Sequence, residues 1–357
     1  MTKPDRRFDA YQQFVLECKV YWTTQVYPEL QSEYQRAVSA SAREGKPAPT
    51  RPEDVQAILE GSTLYQFYAW YERHLQRMKY SGRFGLIPRF ERERETLEAK
   101  LAGADHLQHL SVEPEQTIPR YYTSFDVHQH PKGVAGDSLA GFVYEQASRT
   151  TTPLMKRDRD LHDRFTVEVL ERAKPTRMID LGCGFGKSTR PFYRDAPEVD
   201  LTAVDLSAPC LRVAALNARD DGVRSVKFAQ RDAADTGFAA GSFDTVTSTM
   251  LLHEVAPPHL ERLVEESYRL LSEGGTVVHL DFLVPEDQPF RRFIHYSHGR
   301  RNNEPFMEPL NEIDIVALHR KAGFREVEVI PFEEAPGSLA PDYRSWRFPW
   351  TMIVARK

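Results

Sequence analysis

The chain has 357 residues, of which 41% are hydrophobic and 28% charged, and this composition is typical of a soluble globular protein with about two domains. Its formal net charge of -5 disfavours nucleic acid as a partner. The chain has no run of about 18 apolar residues and its polar N-terminus resembles no secretory signal, so we expect no membrane partner. Three widely spaced cysteines, without the spacing of a zinc site, predict reduced thiols in the cytoplasm.

Residues 8–102 are predicted to be mostly helical and are rich in aromatic side chains. Phe8, Tyr11 and Phe14 recur at helical spacing, and a second stripe contains Phe67 and Tyr71. Residues 39–52 have the composition of a mobile loop. The aromatic side chains are interpreted as the core of a helical bundle, with a lid over an apolar or aromatic substrate as the alternative.

Residues 118–153 contain prolines and glycines that interrupt regular structure, together with side chains that can do chemistry. The latter are Tyr121, Tyr122, Asp126, His128 and His130. Loops of this content on a rigid scaffold often carry function. We consider substrate contact or proton transfer by these residues alongside ordinary packing, and predict no metal site although Asp126, His128 and His130 alternate.

Residues 177–190 organise the second half of the chain. A short apolar run predicts a buried strand, and three alternating glycines, Gly182, Gly184 and Gly186, then remove side chains from the following turn. Leu181 occupies the position where a P-loop needs glycine, and Lys187 occupies that of the third glycine of a dinucleotide fingerprint. The turn is therefore predicted to hold a nucleoside ligand without phosphates.

Two acids support this interpretation of the glycine turn. Asp180 precedes the turn, and Asp205 ends the next apolar run, about 20 residues on, where a carboxylate can bind both ribose hydroxyls. Further strands are predicted at residues 226–230, 243–249, 276–283, 327–330 and 350–355, with helices between most of them. His253 and Glu254 follow the strand at 243–249 and should reach the ligand-binding edge of the sheet. The predicted strand at 276–283 carries Asp281, and residues 285–309, which include Tyr296, are predicted to be an insertion.

The ordered motifs of residues 178–186, 203–207, 231–235, 242–255 and 270–278 resemble a class I S-adenosylmethionine-dependent methyltransferase of the small-molecule type. The resemblance covers roughly the second half of the chain. It implies an α/β fold with a Rossmann-like, doubly wound, mostly parallel seven-stranded sheet after a mainly helical N-terminal domain. The domains are predicted at residues 1–150 and 151–357.

The same resemblance implies the cofactor and the site. S-adenosylmethionine is predicted to bind at Asp180, Gly182, Gly184, Gly186, Asp205, Leu206, Asp232, Ala233 and Thr249. The candidate catalytic bases are His253 and His128. The candidate substrate-binding residues are Tyr121, Tyr122, His130, Glu254, Asp281 and Tyr296.

The leading hypothesis is a cytoplasmic methyltransferase that acts on a small molecule, apolar or aromatic in character, in specialised metabolism. Methyl transfer from a sulfonium is an in-line displacement that depends mainly on the positions of donor and acceptor. The alternatives are a non-catalytic scaffold for interactions and a nicotinamide-dependent oxidoreductase. The sequence leaves the methylated atom, the acceptor and the formation of a homo-oligomer open.

Overall fold

The structure, a computed structural model, describes residues 5–149 and 161–357. The N-terminal part is mainly helical, as predicted. Its helices are α1 (Arg6–Tyr21), α2 (Tyr27–Arg43), α3 (Pro52–Leu59), α4 (Thr63–Tyr80), α5 (Leu86–Glu91), α6 (Arg94–Ala104), α7 (Arg120–Thr123) and α8 (Ala140–Ser148). A π-helical segment, Trp22–Val26, joins α1 to α2, and a short 3-10 helix covers Val127–Gln129. The predicted loop at 39–52 is shorter, because α2 continues to Arg43.

Local sequence explains where several of these helices begin. The Asp5 carboxylate accepts hydrogen bonds from the amides of Arg7 and Phe8 at the start of α1, and the Ser62 hydroxyl accepts one from Tyr65 at the start of α4. Such caps satisfy amides that have no partner within the helix. Some of the aromatic residues then pack together, with the Trp22 ring stacked on Tyr68 at 4.8 Å, whereas Phe14 and Phe67 are exposed. The interpretation of the aromatics as a bundle core therefore holds for Trp22 and Tyr68.

The second part of the chain forms a doubly wound sheet. Its strands are β2 (Arg177–Leu181), β3 (Asp200–Asp205), β4 (Lys227–Gln230), β5 (Phe243–Thr249), β6 (Leu271–Phe282), β7 (Glu326–Pro331) and β8 (Trp350–Arg356). The helices around it are α9 (Leu161–Ala173), α10 (Thr189–Asp195), α11 (Ala208–Asp220), α12 (Pro257–Leu270), α13 (Pro289–Asn302), α14 (Met307–Glu312) and α15 (Ile315–Ala322). These seven strands confirm the predicted Rossmann-like fold.

An additional short strand, β1 (Leu110–Ser111), comes from the N-terminal part and pairs in parallel with β4, Leu110 opposite Phe228. The order across the sheet is β1-β4-β3-β2-β5-β6-β8-β7, and β8 runs antiparallel to both of its neighbours, β6 and β7. The two predicted domains therefore share one sheet. Their predicted boundary at residues 150 and 151 lies outside the described residues.

The strand order reverses between β2 and β5, which lie side by side in the centre of the sheet. The chain proceeds from β2 outward to β3 and β4, and then returns to β5 on the other side. Ligands of open α/β sheets bind beyond the carboxyl ends of the strands at such a point. The glycine turn after β2 and the residues after β5 both lie there.

Residues 118–153 and 285–309 contain more helix than the sequence predicts. The first contains α8, and the second consists largely of α13 and the start of α14 rather than an irregular insertion. Pro289 at the start of α13 suits a first helical turn, where its missing amide is not needed. The polar composition of α13 conceals its buried face, which includes Phe290, Phe293 and Ile294. Among the described residues, no helix combines the length and the apolarity that crossing a bilayer requires.

Gly141 places α8 directly against α11, behind Asp205. A Cβ atom at this position would lie 2.3 Å from the carbonyl oxygen of Pro209, which is backbone and cannot rotate away. We therefore expect Gly141→Ala to lower the free energy of unfolding by about 1–3 kcal/mol, the usual range for overpacking. Urea denaturation measures this, with Gly103→Ala in α6 as the control, because a Cβ there meets nothing within 4 Å. Equal stability of the two variants would show that α8 is displaced at little cost.

Candidate functional site

A cavity of about 210 Å³ lies beyond the carboxyl ends of β2, β3 and β5. Sheet-side residues line one part of it, including the glycine turn, Asp205, Asp232 and Thr249. The N-terminal part lines another portion, with side chains from α1, α4 and α8 and from the segment around His128. Residues of α13 and the segments around Glu304 and Trp346 also contribute. Most of the predicted site residues therefore meet in one cavity, which both parts of the chain enclose.

The glycine turn has the backbone shape that the sequence predicts. Gly182, Gly184 and Gly186 have φ values of 70°, 52° and 83°, in the left-handed region that favours glycine. A Cβ on Gly182 would also lie 2.7 Å from the Leu251 side chain. Gly182 and Gly184 line the cavity, whereas Gly186 packs against Ala214 of α11 and supports the turn from behind.

Asp205 lies at the carboxyl end of β3 and fastens the glycine turn. Its carboxylate accepts hydrogen bonds from the amide of Gly184 at 2.8 Å and from that of Ser207 at 2.7 Å. Burial raises the pKa of Asp205 to about 6, although both amides and the Tyr122 hydroxyl favour the charged form. Asp205 and Leu206 both line the cavity, as predicted for cofactor-binding residues.

Asp180 precedes the glycine turn as predicted, but its side chain does not reach the cavity. Its side chain is fully buried under the turn, where it accepts hydrogen bonds from the hydroxyls of Ser188 at 3.1 Å and Thr189 at 2.7 Å. Its second carboxylate oxygen has no partner in the described parts of the chain. Burial raises the pKa of Asp180 to about 7. Asp180 does not line the cavity, so it positions the turn and the start of α10.

Asp232 and Ala233, which the resemblance assigns to the adenine, line the cavity, and so does Thr249. The Asp232 carboxylate accepts a hydrogen bond from the Ala234 amide at 2.8 Å. The Thr249 hydroxyl is enclosed and has no partner within residues 5–149 and 161–357. Next to it, Met250 has a φ of 57°, an unusual value for a non-glycine residue, and such strain clusters at functional sites.

A cluster of histidines and carboxylates lies at the cavity, which four of its members, all but Asp281, line directly. His128 contacts Glu254 through Nε2 at 2.9 Å and Glu304 through Nδ1 at 3.1 Å. His253 contacts Asp281 through Nδ1 at 2.7 Å, and its Nε2 lies 4.0 Å from Glu304. We refer to these five residues as the histidine–carboxylate cluster.

The backbone and the electrostatics of this cluster are both unusual. His128 and Gln129 have φ values of 55° and 54°, and the His128 carbonyl accepts a hydrogen bond from Gln76 at 2.9 Å. Burial lowers the pKa of His128, but the attraction of Glu254 and Glu304 outweighs it and raises the pKa to about 10. His128 is thus an imidazolium at neutral pH. The pKa of Glu304 is lowered to about 2, because the nearby histidines, first His128, outweigh burial.

The structure places His253 so that one ring nitrogen is fixed and the other faces the cluster. Asp281 is fully buried and does not itself line the cavity. It accepts hydrogen bonds from His253 and from the Leu252 amide at 2.7 Å, and so holds the segment after β5 in place. Burial lowers the pKa of His253, but Asp281 raises it more, and the net pKa is above its ordinary value.

Some of the remaining predicted substrate residues line the cavity and others do not. Tyr121, Tyr122 and Glu254 line the cavity. His130 instead stacks on Tyr80 at 5.2 Å outside the lining, and the Tyr296 hydroxyl lies on the far side of α13, where it donates to Glu312 at 2.6 Å.

The alternating acid and histidines of the segment after α7 diverge. Asp126 accepts from the Lys132 amide at 2.8 Å, His128 joins the cluster and His130 packs. Across residues 5–149 and 161–357, no group of three His, Cys, Asp or Glu side chains has the arrangement to hold a metal ion.

Several residues of the cavity were not predicted. They are Lys19, Glu72, Gln76, Lys79 and Glu304. Glu72, Gln76 and Lys79 are four and three residues apart on α4, so they share one helix face. A polar stripe on the buried face of a largely aromatic helix was the signal in the sequence that could have identified them.

Comparisons with known proteins find methyltransferases. The family model described as "Methyltransferase domain" matches residues 178–275. A ubiquinone/menaquinone biosynthesis C-methyltransferase of Stutzerimonas stutzeri is 33% identical over 134 residues, which are 37% of this chain and 52% of that protein. The match thus spans about half the length of that relative. An uncharacterised methyltransferase of Synechocystis is 27% identical over 186 residues, 52% of this chain and 84% of that protein.

Solved structures also match part of this chain. Phosphoethanolamine N-methyltransferase 2 of Haemonchus contortus, solved with S-adenosyl-L-methionine, is 18% identical, and the match covers 69% of this chain and 61% of that one, with a TM-score of 0.45. A methyltransferase structure from Bacillus halodurans is 21% identical over 54% of this chain and 98% of that one, with a TM-score of 0.42.

Proposed function

We propose that this protein is a class I S-adenosylmethionine-dependent methyltransferase, which transfers a methyl group to a small molecule held in the cavity. The match of residues 178–275 to a methyltransferase domain supports this proposal. The observation that carries the proposal is the hydrogen bond between Asp205 and the glycine turn. Asp205 accepts from Gly184 and faces the cavity beside a turn that exposes no side chain at Gly182 or Gly184. This arrangement suits a ligand that presents a ribose diol.

Other groups support the same ligand. The unpartnered Thr249 hydroxyl can bond a polar group of the ligand, and Asp232 can accept from an exocyclic amine. Bound S-adenosylmethionine supplies an activated methyl group on a positively charged sulfur. The task of the protein is then to hold the acceptor in line and to exclude water. Tyr122 and Tyr144 of the N-terminal part enclose this end of the cavity.

We assign different roles to the two histidines. His253 is the candidate base, because Asp281 fixes its Nδ1 and leaves Nε2 to accept a proton from the acceptor. For His128 the geometry favours a positioning role, since both ring nitrogens contact carboxylates and the pKa of about 10 keeps it charged. The rings of Trp22, Tyr80, Trp346 and Phe348 in the lining support an acceptor with a planar, apolar portion.

Asp205→Ala tests the cofactor assignment. We expect the dissociation constant of S-adenosylhomocysteine, measured by calorimetry, to rise about 10–100-fold, because hydrogen bonds from the ribose to a charged acceptor are lost. The matched control is Asp200→Ala at the opposite end of β3, whose carboxylate pairs with Lys227 at the surface. It should bind like the wild type.

The pH dependence gives a second check on the same residue. Since the pKa of Asp205 is about 6, the wild-type protein should bind S-adenosylhomocysteine more weakly as the pH falls from 7 through 6. Equal affinity of Asp205→Ala and the wild type would reject the ribose assignment. If a folded wild-type protein failed to bind S-adenosylhomocysteine at all, the proposed function would be wrong.

A further inference from the structure

Two lysines line the part of the cavity that the N-terminal helices form. Lys19 comes from α1 and Lys79 from the last turn of α4. The Lys19 ammonium donates to the Gln76 side-chain oxygen at 2.9 Å. Lys79 is 1% exposed, so its ammonium group has been almost entirely removed from bulk water. Neither residue is needed to bind the cofactor in the site described above.

Lys79 is unusual because no carboxylate in the described parts of the chain forms an ion pair with it. No hydrogen bond or ion pair reaches its ammonium from residues 5–149 or 161–357. The ammonium instead lies over the Tyr80 ring, 4.7 Å from the ring centre. Other buried cations each have a carboxylate partner: Arg301 pairs with Glu72 and Arg347 with Glu334. Burial of an unpaired ammonium is costly, so this amine favours its neutral form until an anion binds beside it in the cavity.

The groups around Lys79 indicate how a bound anion would change the pKa values of the two lysines. Burial lowers the pKa of Lys79 well below its ordinary value, and repulsion from Lys19 lowers it further, whereas Glu304 opposes the shift. His130, which also faces it, is neutral because burial lowers its pKa to about 3. The pKa of Lys19 is lowered to about 8, again mainly by burial. An anion placed here would reverse these shifts and favour protonation of both amines.

We propose that the methyl acceptor carries a carboxylate, which Lys79 and Lys19 bind at the N-terminal end of the cavity. This inference rests on the proposed methyltransferase function and names its substrate class. A single negative charge fits better than a phosphate dianion, because Glu72 and Glu304 line the same cavity and would repel additional charge. The neighbouring Trp22 and Tyr80 rings suit an aromatic or conjugated acid. With its carboxylate held there, the rest of the acceptor extends past the histidine–carboxylate cluster toward the glycine turn.

The test uses the full-length protein saturated with S-adenosylhomocysteine and a set of matched probes. Benzoate, cinnamate and indole-3-acetate are each compared with the corresponding amide and with phenyl phosphate, by thermal shift and calorimetry. At least one acid should bind and its amide should not. Lys79→Met should raise the dissociation constant of that acid about tenfold or more, as expected for a lost charged hydrogen bond. Arg77→Met, an exposed cation two residues away on α4, should leave the affinity unchanged.

Proton uptake provides a readout that a purely structural lysine would not change. Calorimetry in two buffers of different ionisation enthalpy should show that the wild type takes up protons when the acid binds, and that Lys79→Met takes up fewer. Lys79→Met should remain folded, since it removes a buried amine that has no direct polar partner in the described residues and keeps a side chain of similar shape. Amides that bind as well as the acids, binding of phenyl phosphate alone, or no binding by any acid would overturn the carboxylate proposal. In each case, retained binding of S-adenosylhomocysteine would leave the proposed function standing.

Discussion

Glu304→Gln is expected to lower the free energy of unfolding at pH 7 by about 3 kcal/mol, the scale for removing one partner of a buried ion pair. Glu304 is 7% exposed and accepts from His128 at 3.1 Å, and both His253 and His298 have a ring nitrogen 4.0 Å from it. Glutamine keeps the shape but leaves the His128 imidazolium with Glu254 as its one remaining partner in the cluster. Urea denaturation at pH 7 measures the loss.

The dependence of this effect on pH follows from the two pKa shifts. The pKa of His128 is raised to about 10, so its contribution to stability is complete below about pH 6.5 and is lost as the pH rises through 10. The pKa of Glu304 is lowered to about 2, so its contribution is present above about pH 4.5 and is lost as the pH falls through 2. The wild-type protein and Glu304→Gln should therefore converge in stability between pH 7 and 10.

A neighbouring carboxylate provides the control for Glu304. Glu308 pairs with Arg300 at the protein surface, where such pairs contribute about 0–1 kcal/mol. Glu308→Gln should thus be nearly neutral. If Glu304→Gln were equally neutral at pH 7, the cluster would not be the charged network that the distances indicate.

Asp281→Asn should destabilise the protein by about 2–4 kcal/mol and should also lower the pKa of His253. The buried carboxylate accepts from the His253 ring, the Leu252 amide and the Phe282 amide, all within 2.7–2.8 Å. An asparagine offers one oxygen to these three donors and turns its amide NH2 group, which cannot accept a hydrogen bond, toward at least one of them. NMR titration of the His253 imidazole, together with urea denaturation, measures both effects.

Asp287→Asn is the matched substitution for Asp281, because Asp287 lies exposed just beyond β6. It should change neither the stability nor the titration of His253. A His253 pKa that stayed the same in Asp281→Asn would mean that the contact at 2.7 Å does not orient the ring, and would remove the reason for choosing His253 as the base.

The sequence predicts the cofactor side of this protein well because its signals are local. Strand β5 begins and ends at the predicted residues, 243 and 249. Gly182, Gly184 and Asp205 act within one strand–turn–helix unit and its neighbouring strand, so spacing alone brings them together. Asp180 and Gly186 were correctly associated with the turn, but whether a residue supports the turn or lines the cavity depends on packing against α10 and α11.

The acceptor side could not be predicted in the same way. Lys19, Glu72, His128 and Glu304 come from four segments that are far apart in sequence, and only tertiary packing places them in one cavity. The spacing of Asp126, His128 and His130 indicates nothing about their directions, since the left-handed backbone at His128 turns its side chain into the cavity. Tyr296 illustrates the opposite error, because one helix presents both an inner and an outer face.

The pairing of β1 with β4 has a practical consequence for work with this protein. Residues 110–111 supply the outermost strand of the sheet, the His109 carbonyl accepts from the Phe228 amide at 2.7 Å, and Gln230 accepts from the Glu113 amide. A shortened chain that starts at residue 161 would leave the backbone of β4 uncovered, and such open strand edges recruit other chains. Expression of the family-matched segment by itself would therefore favour self-association, and biochemical studies need the N-terminal helices attached.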